Sequence, residues 1–286
     1  MDSAPIALGA YVRGYPARGD AMDAYAQLVG RWPAIIHVFR NWTDASRDFD
    51  PKLADKVASS GAALMITWQP PAASMADIAA GEQDAYVREY ARTVRAWSGQ
   101  LLLRVAHEMN GDWIPWRADP ATYRAAWRRM RAIFDEEGAE SVAWVWSPHV
   151  RDARAAPFAP FFPGADVVDW LALDGYNWGR SQSGSHWQSF DDVYADGYGE
   201  VLALAEKPVM LAEIGCAEEG GDKAAWVREA FLDAIPSRYP RVRAVTWFHA
   251  HPRGHADWRV DSSPASLEAH REVARSPLYA GAISLS

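Results

Sequence analysis

Gln100-Leu101-Leu102-Leu103-Arg104-Val105-Ala106-His107-Glu108-Met109-Asn110-Gly111-Asp112-Trp113-Ile114-Pro115-Trp116 is the stretch whose reading decides the fold. Leu101–Ala106 is apolar without alternation, which predicts a parallel strand covered on both faces. The run then breaks into an imidazole, a carboxylate and a glycine turn, followed by Trp113 and Trp116. In (β/α)8 barrels the chemistry gathers where strands end. This boundary therefore predicts the rim of such a barrel, with Glu108 at its pivot.

Working outward, comparable runs predict strands at 6–12, 34–39, 62–67, 142–146, 167–173, 208–212 and 242–248. Helical spacing predicts helices at 20–28, 51–59, 75–97, 120–136, 190–205, 223–235 and 264–274. In the helix at 120–136, Tyr123, Ala126, Trp127, Met130 and Ile133 share one face. Eight strand-like runs alternating with helical ones, with no linker, low-complexity tract or repeat, predict an α/β chain folded as one (β/α)8 TIM barrel over 1–286.

The net charge of −8 and the lack of a basic run argue against a nucleic acid partner. No stretch is long and apolar enough for a membrane span. One cysteine, Cys216, excludes an internal disulfide. Fifteen tryptophans and eleven tyrosines are the unusual feature. Such residues line clefts that grip flat apolar faces such as sugar rings, and part of them is accounted for by burial between strands and helices. Met1–Pro5 has no basic region followed by an apolar core, so no signal peptide is read there. The abrupt first strand fits a catalytic piece of a longer secreted or extracytoplasmic protein, with a cytoplasmic one as the alternative. Oligomeric state is not legible, and a monomer is the working expectation.

Polar and aromatic residues recur at the predicted strand ends: Tyr11, Arg40-Asn41, Trp68-Gln69, His107-Glu108, Ser147, Asp174 with Tyr176, Glu213, and Trp247 with His249. Two of them, Glu108 and Glu213, follow the apolar runs of strands four and seven. Paired carboxylates across a cleft are what glycoside hydrolysis needs, one protonated to serve the leaving oxygen and the other ionised. Arg40 and Asn41 are candidates to bind sugar hydroxyls or to form a rim salt bridge. Trp68 and Trp247 either stack on sugar faces or pack against the barrel wall.

The segments Leu101–Trp113, LLLRVAHEMNGDW, and Val209–Gly215, VMLAEIG, resemble glycoside hydrolase family 26, within the large clan of retaining (β/α)8 glycosidases. The resemblance covers nearly the whole chain. It implies Glu108 as acid/base and Glu213 as nucleophile, with His107 and Trp113 binding sugar. It implies Tyr176 as the hydrogen-bond partner of the nucleophile and Trp247 as the floor of the central sugar subsite; Trp178 closes the same Asp174–Trp178 segment and joins the candidate sugar-binding residues. Mannan-cleaving members often carry Ser-Trp-His after strand three. This chain reads Trp68-Gln69-Pro70, nearer the Trp-Glu-Pro of members acting on mixed-linkage glucan. The expected activity is endo cleavage of β-1,4-mannan or mixed-linkage β-1,3-1,4-glucan with retention, without metal or organic cofactor. A β-xylanase or an exo-acting member is the alternative within the family. The Glu108 carboxyl is expected to be raised by an apolar wall and its carboxylate neighbour, and Glu213 to stay ionised with help from Tyr176.

Two other classes compete. His107-Glu108-Met109-Asn110-Gly111 begins like a zinc-protease helix, but Gly111 stands where the second histidine is required. His249, His251 and His255 form a spaced set that suits sugar binding or a solvated loop better than a metal. A non-catalytic carbohydrate-binding barrel would keep the tryptophans and lose the carboxylate pair, which is present here.

Overall fold

The computed structural model describes residues 5–97, 99–150 and 154–283. Eight parallel strands close in chain order: β1 (Ala7–Val12), β2 (Ile35–Asn41), β3 (Ala63–Gln69), β4 (Leu101–Val105), β5 (Val142–Trp146), β6 (Trp170–Asn177), β7 (Val209–Cys216) and β8 (Val242–His249), with β8 pairing back onto β1. Around them lie α1 (Ala21–Val29), α2 (Pro51–Ser59), α3 (Met75–Ala80), α4 (Asp84–Trp97), α5 (Pro120–Glu136) and α6 (Phe190–Leu204). The ring is completed by α7 (Lys223–Arg228), which passes through a π-helical segment (Glu229–Ala234) into α8 (Ile235–Arg238), and by α9 (Pro264–Arg275). The architecture is the (β/α)8 barrel. Asp50, Asp119, Ser189, Asp222 and Ser263 start five of the helices by accepting backbone N–H groups of the first turn.

Four elements differ from expectation. The tract at 75–97 is two helices, because Gly81 takes a left-handed φ of 94° and ends α3. Strands β6 and β7 run on to Asn177 and Cys216, since polar residues facing the barrel mouth continue the ladder where the apolar run has stopped. The helix expected at 223–235 is widened by the π segment.

Strand alternation sorts the side chains into layers. Ala7, Ile35, Ala63, Met65, Leu102, Ala143, Val145, Trp170, Ala172, Met210 and Ala244 form an apolar cluster contributed by all eight strands, so they fill the barrel interior. Two residues further along, the inward position turns polar in six of the strands: His37, Thr67, Arg104, Ser147, Asp174 and Thr246. Another two residues on come Tyr11, Phe39, Tyr176 and Phe248 at the carboxyl-end mouth. The intervening residues face the helices and join the larger outer core.

This phase corrects three expectations. Trp68 and Trp247 point outward, are 0% and 1% exposed, and do not line the cleft. Trp68 packs against Trp42 at 4.4 Å and Tyr90 at 4.5 Å. The Trp247 indole donates to the Trp258 carbonyl at 2.7 Å and lies 4.2 Å from the His270 ring. Arg40, between the inward Phe39 and Asn41, is also buried and donates back to the Phe39 carbonyl at 3.3 Å.

His270 has no partner for Nε2, and burial first, then Lys223, holds its pKa well below the usual range. An unfolded chain takes up a proton near pH 6.5 that the folded chain refuses, so this group costs stability as pH falls below about 6.5 and costs nothing above it. His270→Leu is expected to flatten the acid side of the stability–pH curve by up to about 1.4 kcal/mol per pH unit. Urea melts of both proteins from pH 7 to pH 4 check this; parallel curves would contradict it.

Candidate active site

Arg104 is the centre of the polar layer beneath the mouth. A guanidinium inside a barrel strand is tolerated only when carboxylates and acceptors surround it. Its Nε donates to Thr67 Oγ1 at 2.7 Å, its Nη1 to both Asp174 oxygens at 2.7 and 2.6 Å, and its Nη2 to Glu213 Oε1. Ser147 adds a bond to Asp174 Oδ1 at 2.9 Å. Thr67, accepting from Arg104, has its own proton left for His37 Nε2 at 2.6 Å. Burial and then the Arg104 charge keep His37 neutral, with its pKa well below the ordinary range.

Glu213 reaches this layer through a bulge. The register of β7 shifts against β8 between Leu211 and Ile214, and against β6 between Leu173 and Asp174, so that Glu213 pairs with Asp174. Bulges beside active sites re-aim side chains in this way. Tyr194 from α6 holds the segment by donating to the carbonyls of Gly175 at 2.7 Å and Glu213 at 3.1 Å. The two carboxylate oxygens of Glu213 accept from Arg104 and from the Tyr176 hydroxyl. Tyr176 can lie this close because Gly215 has no Cβ; one placed there would fall 2.8 Å from the tyrosine ring.

Glu108 sits on a strained turn. Ala106 and Glu108 take left-handed φ values of 42° and 53°, rare for residues with a Cβ and characteristic of functional turns. The turn is fixed from β5: the Glu108 N–H donates to the Ser147 carbonyl at 2.7 Å. Asn110 exchanges two 2.9 Å hydrogen bonds with the backbone of His149. The Trp113 indole donates to Glu108 Oε2 at 2.5 Å, and His149 Nδ1 lies 3.2 Å from Glu108 Oε1. Gly111 makes room for that indole, since a Cβ there would meet it at 2.5 Å.

The charges order opposite to expectation. Burial pushes the Glu108 carboxyl up, but His149, His107 and the Trp113 N–H outweigh it and hold the pKa down to about 2. Burial, then the Glu108 charge, raise the Glu213 carboxyl against the pull of Arg104 and Tyr176. The reach of the Glu108 charge to Glu213 places the two carboxyls on one electrostatic centre. His107 is neutral, lowered to about 3 by burial and by Arg104.

The other expected residues divide. His107 is buried at the mouth, 5.1 Å from Trp116 and 5.9 Å from Phe39, with Nδ1 unpartnered. Trp178 is half-buried between Trp258 at 4.9 Å and His255 at 5.6 Å. Asn41 is engaged locally, accepting from the Thr43 N–H at 2.9 Å and hydroxyl at 2.8 Å. Phe248 takes the place expected of Trp247: it faces the mouth, stacks on Tyr11 at 4.6 Å and lies 5.9 Å from Tyr176. Gln182 reaches across to the Gly254 carbonyl at 3.0 Å, so the loop at 179–188 joins the one after β8 to wall one end of the mouth. His249, His251 and His255 face different neighbours: the Val260 N–H, Asp257 and Trp178. Among the described residues no three His, Cys, Asp or Glu side chains converge as metal ligands.

Arg104 and His149 were missed by the sequence reading. An arginine within Leu101–Ala106 was the available signal for the first; nothing in Trp146-Ser147-Pro148-His149 indicates that this imidazole meets Glu108.

The glycosyl hydrolase family 26 profile matches residues 84–251. Endoglucanase H of Acetivibrio thermocellus is 39% identical over 279 residues, covering 94% of this chain and 30% of that protein. A mannan endo-1,4-beta-mannosidase of Bacillus subtilis is 31% identical over 159 residues, covering 51% of this chain and 39% of that protein. The chain thus spans well under half the length of these relatives. Among solved structures, a beta-mannanase of Bacteroides ovatus superposes with a TM-score of 0.68 at 16% identity, covering 96% of this chain and 90% of that one. With a closed eight-stranded barrel and a profile match over more than half of its length, the chain belongs to glycosyl hydrolase family 26.

Proposed function

We propose that this chain is an endo-acting, retaining β-glycosidase whose substrate is a β-linked glucan or mannan. The observation that carries the reading is the unequal support of two glutamates, one after β4 and one in β7, the first of which acts by its charge on the second. Glu213 accepts from Arg104 and Tyr176 on its two oxygens, bonds that favour the carboxylate a nucleophile needs against the burial that raises it. Glu108 is held at the tip of a strained turn by groups that fix its plane and leave it at the mouth.

In the first step a Glu213 oxygen attacks the anomeric carbon, the glycosidic bond breaks, and Glu108, which must be in its acid form although His149 and Trp113 favour its carboxylate in the free protein, passes its proton to the departing oxygen. In the second, the Glu108 carboxylate takes a proton from water while the water oxygen displaces Glu213. Both carboxyls return to their starting forms. The half-buried faces of Tyr11, Phe39 and Phe248 offer a platform for the sugar between them. Glucan ranks ahead of mannan because the endoglucanase match runs over 94% of the chain and the mannosidase match over 51%. The Gln69-Pro70 sequence after β3 points the same way.

Reducing-sugar release from mixed-linkage glucan, glucomannan, galactomannan and xylans tests this. Release from one class supports the reading and names the substrate; binding without release would favour a carbohydrate-binding barrel. Tyr176→Phe removes the hydroxyl on Glu213, a hydrogen bond to a charged group worth about 1.5–3 kcal/mol. The expected fall in kcat/KM is about 10- to 150-fold, with the fold retained by circular dichroism.

A further inference from the structure

We propose that His149 is a positioning residue for the acid/base, and that it acts specifically on the step in which the leaving oxygen is protonated. The inference rests on the glycosidase reading above. Its basis is geometric. The imidazole Nδ1 faces Glu108 Oε1 at 3.2 Å while the Trp113 indole holds Oε2, so the two rings grip the carboxyl group from both sides. The rings also meet edge to face at 4.9 Å, which fixes each against the other. The backbone of His149 cannot drift, since Asn110 bonds both its N–H and its carbonyl and β6 bridges to it at Asp174. His149 is buried, beside a Glu108 and a Trp113 that are half-buried at the mouth.

The two grips are chemically unequal. An indole N–H only donates, and it favours the carboxylate over the acid form. An imidazole nitrogen can accept from the acid form or donate to the carboxylate. With its ring proton on Nδ1 throughout, His149 donates to Oε1 in both forms, so the carboxylate left when Glu108 gives its proton to the glycosidic oxygen already faces a donor. Without His149, Oε1 loses its fixed partner, and the proton is presented in a spread of orientations. That loss matters only where the leaving group needs a proton.

The test uses His149→Leu, which keeps bulk against Trp113 and removes the hydrogen bond, and His149→Asn, whose amide nitrogen reaches the place of Nδ1. Each is assayed on an unactivated oligosaccharide and on the dinitrophenyl glycoside of the same sugar, whose leaving group departs without protonation. General acid–base groups contribute about 10²- to 10⁴-fold and their supporting partners about 10- to 100-fold. His149→Leu is expected to lose about 10- to 100-fold in kcat/KM on the oligosaccharide and less than about threefold on the activated glycoside. His149→Asn is expected to recover most of that loss. Equal losses on both substrates, no loss on either, or an Asn variant no better than Leu would overturn the assignment while leaving the glycosidase reading intact. Wild-type protein that cleaves neither substrate would instead overturn the reading on which it rests.

Discussion

Glu213→Ala is expected to lose on the order of 10⁴-fold or more of its sugar release, because it removes the atom that forms the covalent bond. Glu108→Ala should lose about 10²- to 10⁴-fold on polysaccharide and much less on an activated aryl glycoside. Added azide separates the two. In Glu108→Ala, azide enters the deglycosylation step without needing a base and should give a glycosyl azide of retained configuration. In Glu213→Ala, azide fills the cavity left by the nucleophile and should give the inverted product. The anomeric configuration of each azide, read by NMR, checks the roles separately; the reverse pattern would exchange them.

Arg104→Met is the second large effect, and it strikes stability as well as activity. The guanidinium lies wholly within the barrel and pairs with two carboxylates, Asp174 and Glu213, so its removal leaves both buried without their cation. Breaking a buried pair on one side costs about 3–5 kcal/mol. At about 2–4 °C per kcal/mol for a large domain, the melting temperature should fall by roughly 6–20 °C. The pH dependence carries the sign. Burial already holds both carboxyls above their unfolded values, and losing Arg104 removes the charge that pulls them down, so they rise further and the folded state binds protons that the unfolded state does not over a wider pH range. The variant should therefore regain stability as pH falls through those raised values and lose it as pH rises. Adding Asp174→Asn to Arg104→Met removes one unpaired charge and should restore part of the loss at neutral pH. Melting curves of the single and double variants between pH 5 and 8 check this; a double variant no more stable than the single one would contradict the pairing.

How much was legible follows from the same residues. Leu101–Glu108 announced a buried strand ending in chemistry, because an apolar run and its abrupt end are both written locally. The eight-fold alternation followed for the same reason; Glu108, Glu213 and Tyr176 were found as strand-end residues, and the role of Trp113 came from the family resemblance. Which face a residue occupies was harder. Trp247 and Phe248 are adjacent aromatics at the end of β8, and a one-residue difference of phase decides which meets the mouth. The β7 bulge, which re-aims Glu213, depends on the neighbouring strands and has no local signature. Trp68 and Arg40 look like rim residues by position, yet alternation turns them to the helices. The contact between His149 and Glu108 joins the ends of two strands and is set by the barrel's closure. The expected order of the two carboxyl pKa values failed on that unseen imidazole.

The most direct test of the central claim is to trap the glycosyl-enzyme. A dinitrophenyl 2-deoxy-2-fluoro glycoside of the preferred sugar forms the ester with Glu213 and slows its breakdown, and peptide mass spectrometry locates the adduct. The account predicts one sugar per chain on Glu213, within Val209–Cys216, and none on Glu213→Gln. An adduct on another carboxylate, or none from protein that cleaves its substrate, would contradict it.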